Sequence, residues 1–201
     1  FNKEIEGEGH SYWFNITNLT DDTNQSASLQ NCYAAGDERK ALISYVSAGT
    51  NVCLMPKFMD TKSTTYNVIG NDQILLRYAD VLLMYAEALN EISHDASAGS
   101  VALKHLNDVR MRSGVAGLSA TELPDKESFR KAVLDERQRE FPYEGQRWFD
   151  LVRMGYAKEA MKVEGIDIQD YQLLFPIPQT EMEKVGNTSI LWQNPGYDSA
   201  N

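Results

Sequence analysis

Little in this chain suits redox or metal chemistry, since its 201 residues include two cysteines and three histidines. Cys32 and Cys53 form no CxxC pair and have no histidine close by, so zinc-ligand spacing is absent. Two buried free thiols and a single disulfide both stay open on sequence; the disulfide would stabilise by about 3 kcal/mol for a loop of this size. His10, His94 and His105 are dispersed. His105 falls on the apolar side of its predicted helix, where a lone histidine is expected to be a satisfied core residue. There is no Gly-rich phosphate loop, no GxSxG and no HExxH, which leaves nucleophilic and metal catalysis without a seat. Basic residues are also in deficit: 19 Lys and Arg face 29 Asp and Glu, a net charge of −10. Without a basic cluster, such a surface attracts neither nucleic acid nor an anionic membrane. No run of about 18 apolar residues exists to span a bilayer as a helix.

What is present is ordinary globular material, 42% hydrophobic and 24% charged, enough to bury a core. The organising stretch runs from Ile74 to Gly155. Ile74, Tyr78, Val81, Leu82, Tyr85, Leu89 and Ile92 recur every three or four residues, the period of one buried helix face, and place Tyr78, Met84 and Tyr85 in the core. A second helix carries Val101, Ala102, His105, Leu106 and Val109, with Gly114 where a left-handed residue after the helix belongs. The two make a helical hairpin. Asp125 or Thr121 caps a third helix bearing Phe129, Val133, Leu134 and Phe141, which ends at Pro142. A fourth short helix spans Gly145 to Met154.

The flanks read differently. Residues 1–71 are loop-rich with short strands around the apolar runs Tyr12 to Ile16, Ala41 to Val46 and Val52 to Leu54. Asp21, Asp22 and Asn24 offer oxygen atoms, yet they fall short of a calcium shell and read as a solvated loop. Residues 156–201 are extended: Tyr171 to Pro178 as a short strand, Gln179 to Val185 as one or two helical turns, and Trp192 to Tyr197 as a turn whose aromatics dock the tail.

Four stretches, "LRYADVLLMYAEALNE", "ALKHLNDVRMRSG", "DERQREFPYEGQRWFDLVRMG" and "LLFPIPQTEMEKVGN…LWQNPGY", resemble the C-terminal half of the SusD/RagB family of nutrient-binding outer-membrane lipoproteins, in that family's order. "GDERKALISYVSAGTN" extends the resemblance back to about Gly36. It implies a mainly α fold, SusD-like, with a tetratricopeptide-like helical hairpin and a loop-rich periphery with short strands. It also implies that residues 1–201 are the C-terminal portion of a single SusD-like domain. The missing N-terminal half would be a partner of this chain and would carry the lipidated cysteine that anchors the protein at the outer-membrane surface. The function so implied is capture of a nutrient, most often an oligosaccharide, and its delivery to a SusC-type TonB-dependent transporter without cleavage. No cofactor or metal is implied.

Charged residues concentrate at Glu136, Arg137, Arg139, Glu140, Glu144, Arg147, Asp150 and Arg153. Glu144, Arg147, Asp150 and Arg153 step by three, so neighbouring charges are expected to pair along one helix as a structural network together with Glu136 and Glu140. A glycoside hydrolase would use Glu136 and Glu140 as its two carboxylates, but interleaved arginines lower carboxyl pKa values and oppose a general acid. A third reading is a tetratricopeptide-like adaptor that holds a protein partner. For sugar binding, Trp13 is the first candidate and Tyr12 and Tyr33 stand behind it, because rings in polar loops stack on the apolar faces of sugars. Which glycan they would take is beyond the sequence.

Overall fold

The computed structural model describes residues 15–17, 29, 31–43, 45, 46, 52–54, 56–58, 60, 62, 70–72 and 74–197. Tyr12, Trp13, Asp21, Asp22 and Asn24 lie outside the described residues. The chain divides into two compact units, residues 1–150 and 151–201.

The first unit is built on three helices, α1 (Tyr78–Ile92), α2 (Val101–Arg112) and α3 (Lys126–Glu140). A small antiparallel sheet, order β1-β3-β2, is formed by β1 (Asn15–Thr17), β2 (Tyr45–Val46) and β3 (Val52–Leu54), with Ile16 and Val46 both opposite Cys53. Short 3-10 turns occupy Glu38–Leu42 and Pro56–Phe58. A further short helix, α4 (Arg147–Arg153), begins at the end of this unit.

Local chemistry explains where the helices start and stop. Helix α1 begins at Tyr78 rather than at Ile74, because Arg77 is extended (φ −145°, ψ 160°) and spends its side chain on distant glutamates instead of a cap. Ser100 caps α2, its hydroxyl accepting the Leu103 N–H. Gly114 follows α2 at φ +79°, where a Cβ would also press on the Gly36 carbonyl at 3.0 Å. Asp125, not Thr121, caps α3 in a reciprocal box with Ser128. Pro142 ends that helix, since the residue before a proline is driven from helical backbone.

The core differs from the face that periodicity selects. Leu83, Leu106, Val109, Phe129, Val133 and Leu134 are its fully buried centre, and α1 contributes Ala79, Leu83, Ala86 and Asn90. Tyr78, Val81, Met84, Tyr85 and Ile92 are exposed, with Tyr78 at 73% and Ile92 at 83%. The reason is steric: Ala79 and Ala86 let α1 lie close against α2 and α3, while the bulkier stripe on the same helix points elsewhere. Asn90 ties α1 to the start of α3 by donating to the Lys126 carbonyl at 2.9 Å, and its own oxygen meets His94 Nδ1. His105 is half-buried, not a core residue; its ring lies 5.4 Å from that of Tyr85, with Nδ1 3.5 Å from Asp108.

The second unit holds α5 (Ala157–Val163), a 3-10 turn at Asp170–Leu173 and α6 (Gln179–Val185). The segment read as a strand from Tyr171 is this turn followed by extended backbone. It is held by the tail: the Gln193 amide accepts the Ile177 N–H and donates to its carbonyl, Asn194 donates to the Phe175 carbonyl, and the Tyr197 hydroxyl donates to that of Leu174. Tyr197 packs edge-on against Tyr171, and any Cβ at Gly196 would collide with the Tyr171 ring. Trp192, expected as an anchor, is exposed.

Candidate functional site

One turn of α3 presents Glu136 and Glu140 on the same face, and cations converge on them from every side of the first unit. Arg39 lies on the 3-10 turn. Its guanidinium takes both oxygens of Asp37 at 2.9 and 2.8 Å, and its Nη1 donates to Glu136 Oε1 at 2.6 Å and to Glu140 Oε2 at 3.0 Å. The second oxygen of Glu136 accepts from Arg110 at 3.1 Å and Arg139 at 3.2 Å. Glu140 accepts from Arg77 and Arg112 as well.

Glu144 receives Arg77 and Lys57, and both cations also donate to the Glu140 carbonyl, satisfying an acceptor at the C-terminus of α3. On the other side of the helix, buried Arg137 donates to Asp80 at 2.6 Å, Asp150 at 2.7 Å and Gln146 at 2.6 Å. Arg77 and Arg137 both sit over the buried Phe141 ring, at 4.4 and 4.9 Å from its centroid.

Glu136, Glu140, Glu144 and Asp150 therefore all sit in ion pairs, with Glu144 and Arg147 turned to partners other than each other. Glu144 precedes α4 and turns to Lys57 and Arg77. Arg147 donates to the Leu134 carbonyl and to Gln138. The partners that sequence reasoning missed are Asp37, Arg39, Lys57, Arg77, Asp80, Arg110 and Arg112. A signal existed for Asp80, a carboxylate within an otherwise apolar helical run, which demands a buried cation.

Burial works to raise the Glu140 carboxyl, but hydrogen bonds from Arg112 and Arg77 and their charges outweigh it and hold the group below its ordinary 4.5. Asp37 behaves alike: burial raises it, and Arg39 more than reverses this, holding it below 3.8. Both groups are lowered in the folded state. The stability they confer is complete above those ordinary values and lost as pH falls through the lower folded ones. Denaturation midpoints should thus be flat down to about pH 5 and decline below pH 4.5; a midpoint that rose on acidification would contradict this network.

A cavity of about 230 Å³ opens beside the cluster. Leu42, Ile43, Pro142 and the side chains of Arg39, Lys57, Arg77 and Arg112 contribute to its lining.

Tyr33 is buried, and its hydroxyl donates to the Arg139 carbonyl at 3.1 Å. Its ring braces the charged helix, so it is withdrawn as a stacking candidate. Cys32 beside it is a free thiol donating to the Leu29 carbonyl, and burial pushes it up to about 11, which keeps it protonated at neutral pH. No helix among the described residues is long and apolar enough to cross a membrane.

The SusD family's sequence profile matches residues 38–172, and the chain belongs to the SusD family. SusD-like protein P2 of Formosa agariphila is 34% identical over 140 residues, covering 64% of this chain and 26% of that protein. SusD-like protein P25 of the same organism is 30% identical over 165 residues, covering 75% and 30%.

Among solved structures, a laminarin binding SusD-like protein superposes with a TM-score of 0.58 at 26% identity, over 85% of this chain and 37% of that one. Surface glycan-binding protein A from Bacteroides uniformis gives 0.60 at 24% identity, over 84% and 40%, a likeness of fold. The chain thus spans well under half the length of each. The mainly helical SusD-like architecture is the fold that the four sequence stretches implied.

Proposed function

We propose that this chain is part of a non-catalytic, cell-surface glycan-binding protein of the SusD type, which hands an oligosaccharide to a SusC-type TonB-dependent transporter in the outer membrane. The observation that carries the reading is the relationship to the laminarin binding SusD-like protein, at 26% identity and with a shared fold over 85% of the chain. Lipid anchoring through an N-terminal cysteine outside this sequence belongs to the same proposal.

The hydrolase alternative is disfavoured by geometry. Two carboxylates that flank a glycosidic bond need about 5 Å or more between them with a sugar in the gap. Here the gap between Glu136 and Glu140 holds a nitrogen of Arg39 that bonds both, at 2.6 and 3.0 Å, in place of a sugar.

Trp13, with Tyr12 beside it, is the proposed stacking residue. Covering one sugar face with an indole contributes about 1–2 kcal/mol, so Trp13→Ala should weaken binding by roughly tenfold in a chain that still folds. Calorimetry against a glycan panel that includes laminarin reads this, with product analysis after long incubation. Cleavage products would overturn the binding-protein reading. Unchanged affinity in folded Trp13→Ala would overturn only the site.

A further inference from the structure

The cavity beside the charged cluster is positive in a chain whose net charge is −10. Among the described residues, six cations are bonded to the four carboxylates Asp37, Glu136, Glu140 and Glu144, which leaves two positive charges in excess. The excess has an address. Arg112 lines the cavity and gives a single hydrogen bond, from Nη2 to Glu140 at 2.5 Å, so most of the donors of its guanidinium are unspent. Arg139, also in the lining, is less exposed and adds its charge behind. Leu42, Ile43 and Pro142 supply an apolar wall. Arg39 and Ile43 are buried, whereas Leu42 is 44% exposed and the Arg112 side chain 54%, which puts these two at the mouth.

We infer that this cavity is an anion subsite that takes the carboxylate or sulfate group of an acidic sugar, with Arg112 donating to the anion and Leu42 and Pro142 against the apolar face of the ring. The excess charge calls for an anion, and a planar guanidinium fork matches the paired oxygens of such groups. At about 230 Å³ the cavity falls below the roughly 300–1,000 Å³ of pockets that enclose a drug-sized ligand, so it admits one sugar residue and not a chain. A long polyanion is disfavoured besides, because the net negative charge of the protein repels it. Burial and the Arg77 charge hold the Lys57 ammonium in the cavity wall below its ordinary 10.5 in spite of Glu144, as expected where negative charge is in deficit. The inference rests on the glycan-binding reading for the sugar, and on the charges alone for the anion.

Calorimetry of this chain at low ionic strength tests it with glucose, glucuronate and sulfated glucose. The expected result is binding of glucuronate or of the sulfated sugar at about 1 mM, ordinary for so small a ligand, with none of glucose. Which of the two binds tells carboxylate from sulfate. Arg112→Gln should weaken binding about tenfold or more; its side chain is exposed and Glu140 keeps Arg39 and Arg77, so the fold should survive. Leu42→Glu sets a negative charge at the mouth and should abolish binding while circular dichroism matches wild type. Lys104→Gln removes an exposed cation of α2 that is paired with Asp108, and should change nothing. Refusal of both charged sugars overturns the proposal, and so does glucose binding of equal strength. Affinity unchanged in folded Arg112→Gln and Leu42→Glu, or lost as fully in Lys104→Gln, overturns it too. Neutral glycans bound through Trp13 while both charged sugars are refused would remove this subsite and leave the glycan-binding reading standing.

Discussion

Arg137→Ala should destabilise the first unit by ~3–5 kcal/mol, a large share of the 5–15 kcal/mol typical of a whole domain. The guanidinium and its two carboxylates are nearly sealed from water, with side chains 5%, 7% and 5% exposed for Arg137, Asp80 and Asp150. Alanine would remove the guanidinium that bridges two desolvated carboxylates. Gln146 would lose its donor, and the Phe141 ring would lose the cation that covers it. Arg137→Lys should rescue little, because one compact ammonium cannot reach three acceptors that a planar fork reaches at once. The control is Lys104→Ala, which removes an exposed pair with Asp108 along α2 and should cost no more than about 0.5 kcal/mol. Urea midpoints of the three variants measure the contrast. A cost below about 1 kcal/mol for Arg137→Ala would mean that the pair is hydrated.

The helices were legible because their signals are local: the Asp125–Ser128 box, Gly114 after α2 and Pro142 after α3 each act within a few residues. The choice of face on α1 was not, because the broadest apolar stripe is the natural candidate for the core only when the whole fold is in hand. In this chain alanines decide the packing, and alanine carries a weak periodic signal. The charged residues of α3 are legible as a cluster, but most of their partners are not. A step of three suggests pairing along a helix, and Arg139 does pair with Glu136 in that way, whereas the other cations on Glu136 and Glu140 come from Arg39, 97 and 101 positions away, and from α2 and Arg77. Only the tertiary fold brings those together. Tyr33 failed as an exposed ring for the same reason, since its hydroxyl is spent on a carbonyl 106 positions distant.

Glu136→Gln separates a structural carboxylate from a catalytic one. Glu136 is fully buried and stands between Arg39, Arg110 and Arg139, which bond both of its oxygens. Glutamine keeps the shape but removes the charge, and its amide nitrogen must turn toward a guanidinium where an oxygen belonged. Three cations then share one fewer anion in a dry setting, a loss of ~3 kcal/mol that should lower the melting temperature by roughly 10 °C. The neighbouring Glu140 cannot compensate, because Arg39, Arg77 and Arg112 already occupy its oxygens. Glycan affinity of the variant, measured below its melting transition, should match wild type within about twofold, and neither protein should release sugar products. The opposite pattern, native melting with turnover present in wild type and lost in Glu136→Gln, would make Glu136 an acid or base and the protein an enzyme.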